Sequence, residues 1–406
     1  MIDIIYDHCA GIDVHKKSLT CTVIAKGGNG QNTQEIMETK EFNAFHKSLQ
    51  QLALWLKDHQ VDMTIMESTG VFWKALYRAI EDVDIPMMVV NPVHVKVLRG
   101  HKTDPKDAKW LAEVGRCGLL RPSFIPPRDF RELRLVTRYR RKLAGYIAGE
   151  KNRLHKMLDD CGIKLGAVVS DIDGVTSRRM IKTLIEGEKT PEQIARDSGG
   201  RLRVDRDTLA LALEGPITQR HRFILHRIQL HIEWMEQQIE QIDRQLYSAM
   251  EPYREQWQLL QTIPGINEIS AAMLLAEIGT DMEKFGSKKR LCSWAAVCPG
   301  NNESAGKKKS GRTRKGNRYL RSLLCEMAHS AKKTDSQFKG IYQGLVVRRG
   351  CKRATIAVAH KICEMIFIVL SRKEHYKDPK IDYQALVVKK NAPRWLVSLK
   401  KYGFLG

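Results

Sequence analysis

The sequence predicts an α/β N-terminal domain built on a mixed sheet with flanking helices, a helical coiled-coil middle and a mostly α C-terminal domain with a helix-hairpin-helix. Three observations carry that reading. Residues 9–90 alternate short β-branched runs with amphipathic helical stretches, the order that gives a sheet covered by helices. Leu225, Ile228, Ile232, Met235, Ile239, Ile242 and Leu246 recur at alternating spacings of 3 and 4, the seam of a coiled coil. Past residue 250, apolar helical stretches are joined through Pro-Gly and Gly-rich breaks. The domains on this reading are 1–125, 126–250 and 251–375, with a tail over 376–406.

Length and charge bound the function. A chain of 406 residues holds two or three domains, each with its own core. With 68 Lys+Arg against 46 Asp+Glu the net charge is +22, which favours a polyanionic partner, and nucleic acid leads that class. No apolar stretch approaches the roughly 20 residues that span a bilayer. Met1-Ile2-Asp3-Ile4-Ile5-Tyr6-Asp7 lacks the basic start of a signal peptide, so a cytoplasmic protein with no membrane partner is expected. The nine cysteines show neither CxxC nor Cys/His zinc spacing, and buried reduced thiols are expected.

The N-terminal elements follow one another closely. Residues 9–26 read as a β-hairpin turning at Lys16-Lys17, with Asp13 on its first strand between Ile12 and Val14, and a third strand falls over 33–42. A helix over 43–58 places Phe45, Leu49, Leu52 and Leu56 on one face. A buried strand over 61–67 delivers Glu67 at its C-terminal end, just before Ser68-Thr69-Gly70 opens another helix. A last strand over 86–90 runs into Asn91-Pro92. In Lys102-Thr103-Asp104-Pro105-Lys106-Asp107-Ala108, Thr103 or Asp104 caps a helix and Pro105 sits in its first turn. Asp104 and Asp107 then share a helix face one turn apart. Close carboxylates repel unless a cation neutralises them, and a hard divalent ion suits that role. The alternative is that both acids only complement the helix N-terminus. Sheets of this kind place chemistry at strand ends, where Asp13, Glu67 and the Asp104/Asp107 helix can converge.

From 128 to 158 a long helix carries a one-signed excess of Arg138, Arg140, Arg141, Lys142, Lys151 and Arg153, which reads as a surface for nucleic acid or as a solvated face. A small helical insert occupies 163–215. The Leu225–Leu246 seam calls for a partner helix, either 128–158 or its copy in a second subunit, and a multimer built partly on this hairpin is expected. Leu260 to Ala276 match a helix-hairpin-helix around Pro264-Gly265-Ile266, whose turn and helix N-terminus offer N–H groups to a phosphate. The run 303–318 is too polar to bury a core and is expected to lack regular structure without a partner.

Gly11-Ile12-Asp13-Val14-His15-Lys16, Met66-Glu67-Ser68-Thr69-Gly70, Asn91-Pro92 and Lys102–Ala108 together resemble the DEDD transposases of bacterial insertion sequences. Pro264-Gly265-Ile266, Ser304 and Lys315-Gly316-Asn317-Arg318-Tyr319-Leu320-Arg321 look like the second half of the same family, in family order. The resemblance implies a RuvC-like RNase H fold carrying Asp13, Glu67, Asp104 and Asp107 as Mg²⁺ ligands, and a C-terminal domain supplying a serine. It also implies donor and target DNA as substrates, a structured RNA encoded by the element as guide, and active sites composite across the subunits of a homo-oligomer, a dimer or tetramer.

Elementary chemistry agrees with the first part. Four carboxylates can hold one or two Mg²⁺ ions that polarise a phosphodiester. A serine hydroxyl nearby can attack phosphorus and keep the DNA end covalently attached, conserving the bond for rejoining. Ser304 and Ser310 compete for that role. Ser304-Ala305-Gly306 fits the family's offset to Lys315-Gly316-Asn317-Arg318 better, although the family places Gly directly after its serine where this chain has Ala305. Lys307, Lys308, Lys309, Arg312, Arg314, Lys315 and Arg318 surround the serines and, with Gly265, are the expected nucleic-acid contacts. The competing readings are a metal-dependent, junction-resolvase-like nuclease that hydrolyses DNA, and a non-catalytic scaffold whose acids only fold the sheet.

Overall fold

Strand β1 (Cys9–Val14) is apolar on both faces because it lies at the centre of a sheet. The computed structural model describes residues 4–27, 34–68, 70–92, 104–199, 202–300, 302–304, 306–311, 313, 316–381 and 383–405. It divides into two compact units, Met1–Ile125 and Pro126–Gly406, so the further divisions at 250 and 375 fall inside the second.

In the first unit β2 (Ser18–Gly27) and β3 (Gln34–Asn43) follow β1. Helix α1 (His46–Asp58), β4 (Met63–Glu67), α2 (Trp73–Glu81), β5 (Met87–Val90) and α3 (Asp104–Arg116) complete it. The five strands stand in the order β3-β2-β1-β4-β5. β2 is antiparallel to both β1 and β3, whereas β4 is parallel to β1 and to β5. This is the expected mixed sheet with flanking helices. Side chains alternate across it: Ala10, Ile12, Val14 and Met66 pack with Leu49, Leu52 and Leu56 of α1 on one face, and Cys9 and Ile65 pack with Leu111 and Val114 of α3 on the other. One expectation needs correction, since Ser68-Thr69-Gly70 does not open α2. Gly70 has φ +58°, a turn conformation that delays the helix to Trp73.

The second unit is mostly helical. α4 (Arg128–Asp160) and α9 (Gln219–Met250) bracket α5 (Leu165–Val168), α6 (Val175–Glu186), α7 (Pro191–Asp197) and α8 (Arg206–Leu213). Then come α10 (Arg254–Gln261), α11 (Glu268–Ile278), α12 (Lys288–Trp294), the short strands β6 (Asn302–Ser304) and β7 (Lys307–Ser310), α13 (Arg318–Ala331), α14 (Gln337–Arg349), α15 (Cys351–Arg372) and α16 (Tyr383–Lys401). As α4 advances from Arg140 to Glu150 its partners on α9 retreat from Asp243 to His231, so the two helices are antiparallel.

The seam is satisfied within the chain. Leu225, Ile228, Ile232 and Met235 are buried with Leu143, Ile147, Leu154 and Leu158 of α4, and Ile239 and Ile242 pack against the same cluster. Of the two partners expected for the seam, the 128–158 helix of the same chain is the one that packs on it, with Ile239 and Ile242 left partly buried. Two further corrections concern α15 and 303–318. α15 is long and apolar enough to cross a membrane by length and composition, with a mean hydropathy of 1.7 in its window. Its Val358, Ile362, Cys363 and Ile366 are nevertheless buried in the protein core. The segment 303–318 is not without regular structure, since β6 and β7 pair antiparallel through a turn in which Gly306 has φ +73°.

Candidate active site

Two glycine contacts orient the acidic residues. A Cβ on Gly11 would lie 2.1 Å from the Ala108 carbonyl oxygen and 2.5 Å from the Ala112 nitrogen, so α3 rests directly on β1. A Cβ on Gly115 would lie 1.6 Å from Ile65 Cδ1 and 3.7 Å from Cys9 Sγ. The C-terminal part of α3 therefore covers the start of β1, and its N-terminal turn reaches toward the strand's end. Asp13 follows Gly11 by two residues and Glu67 follows Ile65 by two, which puts both carboxylates on the α3 face. They stand one step beyond Ile12 and Met66, the last residues paired between β1 and β4, and Glu67 still pairs with Val90 of β5. Asp104 and Asp107 occupy the turn of α3 directed to that end.

Details differ among the four. Asp13 is 16% exposed, and its Oδ2 lies 3.1 Å from His15 Nε2. Glu67 and Asp107 are half-buried. The side chain of Asp104 lies outside the described residues. Among the described residues no three His, Cys, Asp or Glu side chains are grouped closely enough to hold an ion. What the fold supplies is a shared sheet end and a shared face, with an all-oxygen donor set that fits a hard divalent cation.

The serine segment sits elsewhere in the sequence, in the second unit. Ser304 ends β6 and pairs with Lys307 across the turn, whereas Ser310 lies at the base of the hairpin opposite Asn302. The two serines thus differ in place, one at the tip and one at the foot.

Residues 10–163 match a family model of DEDD type described as transposase, and residues 257–343 match the transposase IS116/IS110/IS902 family. The chain belongs to the DEDD transposases of the IS110 family. It is a DNA transposase, an enzyme of that class. The transposase for insertion sequence element IS1111A of Coxiella burnetii is 24% identical over 329 residues, 78% of this chain and 80% of its own. A probable family 20 transposase of Pseudomonas aeruginosa is 21% identical over 78% of this chain and 86% of its own. The transposase for insertion sequence element IS1328 of Yersinia enterocolitica is 23% identical over 89% of this chain and 96% of its own. The solved structure of Thermus thermophilus RuvC is 17% identical and covers 29% of this chain and 99% of its own, with a TM-score of 0.24. The fold described above rests on the strand order and not on that last likeness.

In this transposase the basic residues divide sharply. Lys307 and Arg318 are exposed. Arg312, Arg314 and Lys315 lie outside the described residues, as do the side chains of Lys308 and Lys309. Of the basic residues of α4, read as facing nucleic acid or solvent, Arg138, Arg140 and Arg141 are engaged within the protein, whereas Lys142 is exposed. Arg138 donates to Glu277 Oε1 and Oε2 at 2.9 and 3.0 Å, Arg140 NH2 to Asp243 Oδ2 at 2.8 Å, and Arg141 to Glu326 at 2.9 Å. Lys151 pairs with Asp173 and Arg153 with Glu150. Glu150 apart, these opposite charges come from other elements and are invisible in the helix's own sequence, which therefore leaves both readings open. Gly265 likewise serves packing, since its φ is +89° and its absent Cβ would lie 2.6 Å from Met327 O and 2.7 Å from Ala331 N of α13. The N-terminus of α11 is closed by its own capping box, Asn267 with Ser270.

Glu277 escaped the sequence reading altogether. The one signal is a lone acid in Leu274-Leu275-Ala276-Glu277-Ile278, a residue type that stays buried only when paired. Its side chain is 4% exposed, and Arg138, Arg134 and Asn317 surround its carboxylate. Burial pulls the Arg134 guanidinium down to about 10, which leaves it charged at neutral pH.

Proposed function

We propose that this transposase cuts and rejoins DNA through a transient serine–phosphate link, with Asp13, Glu67, Asp104 and Asp107 as ligands for Mg²⁺ and Ser304 as the nucleophile. The observation that carries the proposal is the seating of α3 on Gly11, which directs one acidic helical turn to the strand end where Asp13 and Glu67 stand. These carboxylates would hold a divalent cation, which would polarise the scissile phosphodiester and offset charge on its oxygens. His15 Nε2 lies 3.1 Å from Asp13 Oδ2, beside the carboxylate that the reading makes a ligand. Ser304 Oγ forms the new bond to phosphorus, and the departing strand leaves as a hydroxyl. A second strand's hydroxyl then displaces the serine, so no bond energy is lost between the steps.

Ser304 suits this role better than Ser310 because it sits at the turn of a two-stranded hairpin, where DNA can reach it from the tip. Lys307, its backbone partner across the turn, is exposed and brings a cationic residue to the same tip, suited to an incoming phosphate. The serine and the acids belong to different units, and on this reading they act on one DNA strand only in the assembled multimer. An element-encoded structured RNA as guide, and an assembly of two or four chains, complete the reading. The charge of +22 suits binding both nucleic acids.

The test uses end-labelled donor DNA and phenol extraction. Wild type and Ser310→Ala should carry label into the protein phase, and Ser304→Ala should not, while all three still bind DNA. Label on the protein in Ser304→Ala would move the nucleophile to another residue. Cleaved DNA with no protein-bound label in wild type would establish hydrolysis instead.

A further inference from the structure

The segment that carries Ser304 leaves and rejoins the protein at one place. α12 ends at Trp294, and Val297 N donates to Cys292 O at 3.2 Å to close the turn from which the chain departs toward β6. On its return, Asn317 N donates to Trp294 O at 3.1 Å. A Cβ on Gly316 would meet that same carbonyl oxygen at 2.6 Å and Ala296 Cβ at 2.9 Å, so the returning chain seats tightly only with glycine there.

Asn317 then uses its whole amide. Oδ1 accepts from the Tyr319 and Leu320 nitrogens at 3.0 and 3.1 Å, capping α13, and Nδ2 donates to Glu277 Oε2 at 2.6 Å. The other donor to that carboxylate comes from α4: Arg138 binds both of its oxygens, while Arg134 donates to the backbone carbonyls of Ala276 and Glu277 and stands as an ion pair 3.3 Å from Oε2. Arg138 also lies over the Tyr319 ring, 4.3 Å from its centroid. A buried carboxylate with two guanidiniums is a costly way to join three helices, since apolar side chains of similar volume commonly hold as well or better. What such a network supplies that apolar packing does not is one defined orientation.

We propose that Glu277 and Asn317 are positioning residues for the serine hairpin: their hydrogen bond fixes the root of the segment and thereby the place at which Ser304 is presented to DNA. The inference rests on the reading of Ser304 as nucleophile and gives the Gly316-Asn317 pair a role in presenting it. Arg138 of α4 holds the carboxylate that holds Asn317, and Arg134 braces the same turn of α11 through the Ala276 and Glu277 carbonyls.

The experiment is a reversal of donor and acceptor in the full-length protein. Asn317→Asp keeps the cap but sets two carboxylates against each other, and Glu277→Gln removes the charge that Asn317 and the arginines share. The double variant E277Q/N317D restores a donor–acceptor pair with the roles exchanged and restores the net charge. The rate of Ser304–DNA adduct formation is measured at saturating labelled DNA, beside DNA affinity and melting temperature. Each single variant should form adduct roughly tenfold or more slowly, with affinity within about twofold of wild type, and the double variant should recover most of the rate. Asn317→Ser, which keeps a capping oxygen and gives up the amide donor, should behave as the singles do and serves if N317D fails to fold. Single variants with the wild-type rate overturn the proposal, as does a double variant no faster than the product of the singles. So does a rate loss that only follows a fall in melting temperature. Wild type that forms no serine adduct refutes the serine reading itself, a result distinct from these.

Discussion

Gly11 governs how closely α3 approaches the centre of the sheet, and through that contact where the acidic turn points. Gly11→Ala should destabilise the first unit by about 3 kcal/mol, because the added methyl meets backbone atoms that cannot rotate away. A urea titration followed by the tryptophans of that unit checks it. Asp13→Asn and Asp107→Asn should lower adduct formation by roughly 100-fold or more while leaving DNA binding near wild type. A filter-binding assay run beside the phenol partition separates the two effects. Asp173 gives a pH prediction of known sign. Burial alone would raise its carboxyl, but Arg178 and Lys151 outweigh that and hold it below its ordinary 3.8. Its contribution to stability is thus complete above the ordinary value and is lost as pH falls through the lowered one. Asp173→Asn should lower the melting temperature at pH 7, and the difference from wild type should shrink in acid. The strand positions of Asp13 and Glu67 were legible in the sequence because strand alternation and strand ends are local patterns. Glu277 was not, since its meaning depends on arginines distant in the chain.

At the scale of elements, the α4–α9 pair takes its stability from the buried seam. Ile232→Asp should cost at least about 3 kcal/mol through an unpaired buried charge and should unfold the second unit before the first. Circular dichroism melts of the full chain check this, and an unchanged melt would mean that the seam is not the core of that unit. The spacing of 3 and 4 identified the helix but left its partner open, because a heptad seam states that a helix pairs and not with which neighbour. The hairpin at 302–310 was hidden for a different reason. Polar composition rules out a core, yet two short strands need only backbone hydrogen bonds and a left-handed turn residue, which Gly306 supplies. α15 was concealed as an apolar helix because Lys361 and Glu364 interrupt it, and they pair with each other at 3.0 Å.

For the whole molecule, the charge of +22 is not spread evenly in its consequences. Arginines 134, 138, 140 and 141 already pair with carboxylates within the second unit, so phosphate contacts are expected from other basic residues, such as the exposed Lys307 and Arg318. Affinity for DNA should still fall steeply with added salt, and Lys307→Ala should reduce the slope by about one counterion, whereas Arg140→Ala should destabilise the fold and leave the slope unchanged. A salt-independent affinity would show that the excess charge serves another purpose. The central claim is that strand exchange passes through a phosphoserine, and stereochemistry at phosphorus tests it most directly. Each in-line displacement inverts the configuration, so two displacements restore it. With a phosphorothioate of single chirality at the scissile bond, the rejoined product should retain the starting configuration. Inversion would mean a single displacement with no serine intermediate, and would contradict the account.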